Sequence, residues 1–133
     1  MQACRSLAYE RRDVTGPSSQ RKRRRALPTR VVCMILESAI LKVKPGLEPE
    51  FERAFAQASK IISASPGYIR HELQRCLEAQ NQYLLLVWWQ RIEDHTVGFR
   101  GSAPYQEWRR LLHHFYDPFP TVEHYTLVYP AAG

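Results

Sequence analysis

Cysteine is scarce in this sequence, long apolar runs are missing, and no glycine-rich loop occurs; each shortage removes a class of protein. Cys4, Cys33 and Cys76 are the three cysteines, and no two of them have CxxC spacing. Neither a disulfide framework nor a cysteine zinc site is implied, which suits a reducing, cytoplasmic setting. The longest uninterrupted apolar run, Tyr83 to Trp89, falls far short of the roughly 20 residues a bilayer requires, so no membrane association is expected. Phosphate loops, a serine elbow and a Cys/His nucleophile pair find no support. Histidines show neither HxxxH nor HxxE spacing, and the adjacent His113 and His114 diverge around a helix, so no metal site is expected.

Positive charge is present but confined. Residues 1–33 hold nine Lys or Arg against two acidic residues, whereas residues 34–133 hold ten against eleven. The net charge of +6 is therefore a property of the first 33 residues, and the body is close to neutral. The run RKRRR (Arg21–Arg25) is of the kind that marks nuclear import or polyanion binding. A near-neutral body gives no such partner, so no nucleic acid is expected there. Residues 1–33 are rich in Arg, Ser, Gln and Pro without sustained periodicity, and a disordered basic extension is expected, upstream of a natural start at Met34.

From Met34 onward the apolar residues are arranged for one domain. "ILESAILKV" (Ile35–Val43) is aliphatic on both parities, as in a central strand covered on both faces. After Lys44-Pro45-Gly46, Leu47, Phe51, Ala54, Phe55, Ala58, Ile61 and Ile62 recur at steps of three and four, which predicts a helix. Pro66-Gly67 stops it, and Tyr68–Leu77 and Tyr83–Gln90 read as the two strands of a hairpin. Ile92, His95 and Phe99 predict a short amphipathic helix. Ser102 then caps a second one carrying Tyr105, Trp108, Leu111, Leu112 and Phe115. "TVEHYTLVYP" closes the chain as a fourth strand. The order βαββαβ predicts an α+β, ferredoxin-like sandwich with a four-stranded antiparallel sheet, in which the second and fourth strands are opposite edges. Helices can cover only one face of that sheet. Strands one and three are apolar on both faces, which predicts a homodimer packed sheet against sheet or closed into a shared barrel.

The short βαββαβ chain, "LLLVWWQ" as third strand and "EDHTVGFRGSAPYQEW" after it together make residues 34 to about 130 resemble the antibiotic biosynthesis monooxygenase family of dimeric α/β-barrel proteins. The resemblance implies a pocket between the sheet and helices of each protomer, bordered by Trp88 or Trp89 and by His95. It also implies cofactor-independent oxygenation of a small electron-rich aromatic, such as a phenol or quinol. The haem-degrading branch pairs its Trp and His with an Asn on the first strand; here that strand carries Glu37 and Ser38, and His95 follows Trp89 at a shorter interval. No cofactor is therefore expected, with a haem-binding variant and a non-catalytic ligand-binding dimer as the alternatives.

His95 is the expected base, since an imidazole near its ordinary pKa accepts a proton around neutrality. Trp89 is expected to position the substrate ring or shape the oxygen site. Trp88, Phe99, Tyr105, Trp108 and Phe115 are the candidate walls of a slot for a planar ligand. His71, sharing strand parity with Ile69 and Leu73, joins them as a candidate substrate contact. Aromatic residues at such spacings also make ordinary cores, and Arg100, Arg109 and Arg110 are as consistent with a solvated face as with steering of an acidic substrate.

Overall fold

The computed structural model describes residues 34–131, and the extension expected over residues 1–33 lies outside them. The elements are β1 (Ile35–Lys42), α1 (Glu48–Ser63), β2 (Tyr68–Arg75), β3 (Gln82–Trp89), a π-helix (Asp94–Phe99), α2 (Ala103–Leu112), one 3-10 turn (His113–Phe115) and β4 (Val122–Thr126). Their sheet has the order β2-β3-β1-β4 with every neighbouring pair antiparallel. This is the ferredoxin-like α+β arrangement, and within the chain the sheet is open.

Side-chain alternation sorts each strand into two faces. Ala39 and Leu41 of β1, Val43 just after it, and Tyr83, Leu85, Val87 and Trp89 of β3 are buried beneath the helices. α1 begins with Pro49 in its first turn, where a missing N–H costs nothing, and with Glu48 and Glu50 at the positive end of its dipole. It buries Phe51, Phe55, Ala58 and Ile62 against the sheet. The Phe51 ring packs 4.9 Å from Tyr83 and 5.7 Å from Phe115, measured between centroids. α2 is capped by the Ser102 hydroxyl, which accepts the Tyr105 N–H at 3.3 Å, and it buries Trp108 and Leu112.

The opposite face is formed by Leu36, Ser38 and Ile40 of β1, Leu84, Leu86 and Trp88 of β3, and Tyr125 of β4. No described element covers it. Ile40, at the centre, is 52% exposed. The Arg70 guanidinium lies 4.0 Å over the Trp88 ring, the cation–π contact that partly shields this edge.

Two expectations change in the structure. The segment after β3 is a π-helix, with the Arg100 N–H donating to the His95 carbonyl five residues back at 3.1 Å; Ile92 falls outside it and is 38% exposed. β4 stops at Thr126 instead of continuing to Tyr129, because Thr126 already pairs with Ile35, the first residue of β1, which is its one neighbouring strand among the described residues. Leu127, Val128 and Tyr129 are left exposed.

Two glycines hold the π-helix in place. Gly67 has φ +82°, and a Cβ there would lie 2.1 Å from the Asp94 carboxylate, which itself accepts the Arg91 N–H at 3.1 Å. Gly101 passes so close to the Val97 carbonyl that a Cβ would meet its oxygen at 2.6 Å.

Candidate functional site

Between the sheet and the second helical layer lies a cavity of about 430 Å³. Its floor is β1 and β3, and Phe99, Tyr105 and Trp108 form an aromatic wall above it. Tyr116, Phe119 and Pro120 close one side, and the exposed Arg100 stands at the rim.

Glu37 is the chemically unusual group. It occupies the helix-facing parity of β1 that otherwise carries Ala39 and Leu41, so alternation alone drives a carboxyl into the interior. The Trp89 indole N–H donates to its Oε1 at 2.9 Å. His95 Nε2 stands 3.3 Å from the same oxygen, and both side chains are almost fully buried. His95 is in turn stacked against Trp89, with centroids 5.4 Å apart and planes at 20°. On its far side, His95 Nδ1 is 2.8 Å from Nε2 of His124 on β4.

Burial dominates the titration of this cluster. It pushes the Glu37 carboxyl up to about 7, against the opposing pull of the Trp89 hydrogen bond and the Arg100 charge. It pushes His95 down to about 3, assisted by Arg100 and His124, and lowers His124 as well, with Arg100 adding to the effect. Glu37 and His95 therefore meet near neutrality as a close polar pair with a neutral imidazole, and not as an ion pair. Glu37 is the member whose proton is in balance at neutral pH. Burial and the Glu37 charge raise the Tyr116 hydroxyl, so it stays protonated and can only donate or accept as a neutral phenol.

The expected site residues separate. His95, Phe99, Tyr105 and Trp108 share the cavity. Trp89 is fully buried just behind it, holding Glu37. Trp88 is on the other face of the sheet, because consecutive strand residues point in opposite directions; it borders no part of this cavity. Phe115 packs into the core against Phe51 instead of lining the cavity. His71 sits on the edge strand β2, hydrogen-bonded through Nε2 to Ser59 Oγ at 2.7 Å and through Nδ1 to the Tyr68 hydroxyl. β2 and the His124 strand are opposite edges, so His71 and His124 do not meet. Glu37, His124 and Tyr116 were not among the expected residues. A lone acid on the core parity of an aliphatic strand was the signal for the first of them. Among the described residues, no group of three His, Cys, Asp or Glu side chains is placed to hold a metal ion.

The profile described as antibiotic biosynthesis monooxygenase matches residues 34–111. The chain belongs to that family. A relative, the uncharacterized protein YczJ of Bacillus subtilis, is 61% identical over 92 residues, covering 69% of this chain and 97% of YczJ. A Bordetella bronchiseptica crystal structure assigned to the antibiotic biosynthesis monooxygenases superposes with a TM-score of 0.70 at 38% identity, over 73% of this chain and 99% of that one. SnoaB of Streptomyces nogalater, described as a cofactor-independent oxygenase, shares the fold at a TM-score of 0.58 and 20% identity, over 75% and 96% of the two chains. A haem oxygenase (mycobilin-producing) of Mycobacterium tuberculosis is 27% identical over 63 residues, which are 47% of this chain and 60% of that protein. The residues here do not suit haem ligation by His95, whose two ring nitrogens are both engaged, one by Glu37 and one by His124.

Proposed function

We propose that this protein is a cofactor-independent monooxygenase that uses molecular oxygen on a small electron-rich aromatic, a phenol or quinol, with Glu37 as the base. The observation that carries this reading is a buried carboxyl, poised near neutrality, on the floor of a cavity walled by Phe99, Tyr105 and Trp108. A planar ring fits between such walls by stacking, and the cavity volume is within the usual range for small-molecule sites. SnoaB is compatible company for this chemistry.

In the reaction, the Glu37 carboxylate takes the phenolic proton. The phenolate then passes one electron to oxygen, and the phenoxyl radical and superoxide combine into a carbon-bound peroxide. The peroxide anion then collapses to a carbonyl, the hydrogen of its own carbon leaving with the outer oxygen as hydroxide: one oxygen atom stays on the ring, and the other becomes water with the proton that Glu37 has given up. His95 acts on Glu37 and not on the substrate, since its depressed basicity keeps it neutral and donating or accepting a hydrogen bond. Trp89 fixes the carboxyl and favours its ionised form. Arg100, at the rim, stabilises the phenolate and the developing superoxide.

The reading includes a cytoplasmic homodimer formed through the uncovered sheet face, supported by the apolar row Leu36, Ile40, Leu84, Leu86 and Trp88 and by the exposed Leu127 and Val128. Phe119 and Pro120 border both the cavity and a depression on that face, so a partner packed there would bear on the cavity wall. Oxygen uptake across a panel of phenols and quinols tests the function. The parent protein should consume oxygen stoichiometrically with quinone formation, and Glu37→Gln should lose about 100-fold or more; no uptake by the parent with any substrate refutes it.

A further inference from the structure

Three titratable side chains from three different elements stand in a line here, and the reaction above uses only the first two. Glu37 on β1, His95 on the π-helix and His124 on β4 are joined by contacts of 3.3 Å and 2.8 Å, each to a different nitrogen of the middle ring. An imidazole with a polar partner at each nitrogen, one hydrogen-bonded and one at 3.3 Å, can accept a proton on one and release another from the other. His124, on an edge strand and only partly buried, is the member that reaches solvent. At the opposite end Glu37 faces the cavity and accepts the Trp89 N–H.

We propose that Glu37, His95 and His124 form a proton relay that returns the substrate's proton from the cavity floor to solvent at the β4 edge, with His124 as its outlet. This rests on Glu37 being the base. After proton abstraction Glu37 is a carboxylic acid donating to His95 Nε2, His95 donates from Nδ1 to His124 Nε2, and His124 carries its own proton on Nδ1. Glu37 then gives its proton to His95 Nε2, His95 gives its Nδ1 proton to His124 Nε2, and His124 releases its Nδ1 proton to water. Three protons each move one bond. The carboxylate is restored, one proton is delivered outside, and both rings begin and end neutral with their tautomers exchanged; each ring returns to its Nδ1–H tautomer before the next turnover. Burial favours that route, because neither ring has to become an imidazolium.

The charged and titratable groups facing the line are few. Arg100, following the π-helix, acts on all three members and disfavours any imidazolium; Tyr116, from the segment after the 3-10 turn, faces Glu37 and stays protonated. Trp89 does not titrate.

Nitrogen-15 NMR of the full chain labelled at histidine, titrated from about pH 5 to 9, tests the relay without any turnover. Both rings of the pair should stay neutral. Both should also pass together from Nδ1–H at low pH to Nε2–H at high pH, with one shared midpoint near the Glu37 value of about 7. Glu37→Gln should abolish the switch, since an amide does not titrate there. Tautomers that stay fixed through the titration, or either ring charging within it, overturn the relay. In a turnover assay, His124→Gln keeps a hydrogen-bonding group but cannot pass a proton. It should lower kcat at least about tenfold with KM unchanged, make the rate depend on buffer concentration, and respond to added imidazole. A purely structural role for His124 predicts no rescue, and its absence in a folded variant also overturns the proposal. If no phenol turns over at all while the tautomers still switch together, it is the choice of reaction that fails and not the relay.

Discussion

Glu37 and His124 are directly opposed across the β1–β4 ladder, and the ring of His95 spans them from the layer above. A strand pair thus fixes the two ends of the cluster to backbone register, while the π-helix supplies the middle. Sites built on paired strands are held more rigidly than sites on loops, and a wide helical turn is a recurrent device for placing one side chain at a functional position.

The first expectation concerns pH. Glu37 works as a base only when ionised, so the parent's kcat/KM should rise with pH and level off above about 7. Trp89→Phe removes the indole N–H that favours the ionised form, so the midpoint should move to higher pH. The measurement is the pH profile of oxygen uptake for both proteins. An unchanged midpoint in a folded Trp89→Phe variant would mean that the titrating group is not Glu37.

Stability should carry the same signature. The folded-state pKa of Glu37 is raised from 4.5 to about 7, so the folded protein binds this proton more tightly than the unfolded chain does. Its contribution is therefore fully present below about pH 4.5 and is lost as pH rises through 7, by roughly 3 kcal/mol. Glu37→Gln, which imitates the protonated form, should match the parent near pH 4.5 and be the more stable protein at pH 8.5. His95 has the opposite sign: its lowered pKa supplies stability present above about 6.5 and lost as pH falls toward 3. Urea denaturation at several pH values reads out both.

Gly67→Ala should disturb the site from a distance. The substitution adds a strained positive φ and drives a methyl group into the Asp94 carboxylate, the residue next to His95. A loss of about 1–3 kcal/mol is expected, together with reduced turnover. A variant as stable and as active as the parent would show that the start of the π-helix adapts freely.

On the open sheet face, Ile40 and Leu84 are register partners. Sedimentation velocity should find the parent dimeric, and Ile40→Lys combined with Leu84→Lys should yield a folded monomer, weakening association by about 2 kcal/mol or more. If the parent sediments as a monomer at all accessible concentrations, the dimer is wrong.

What the sequence determined was the order of elements, and with it the sheet. Steps of three and four in α1, alternation in the strands, Ser102 at a helix start and Pro66-Gly67 at a helix end are local signals, written by the hydrogen-bonding period of each element. The same periods placed Phe99, Tyr105 and Trp108 on one side and showed that one face of the sheet would lack a cover. Tertiary structure alone decided which partners meet. Periodicity could not say that Trp89 would turn inward and Trp88 outward, because in "LLLVWW" both parities are apolar and only β1–β3 pairing under the helices breaks the tie. Nor could it reveal Glu37 as the reactive group: an acid's pKa depends on the depth of its burial and on what arrives beside it from residues 89, 95 and 124, all far along the chain. Proximity of that kind is a property of the packed molecule, and the chemistry of the cavity follows from it.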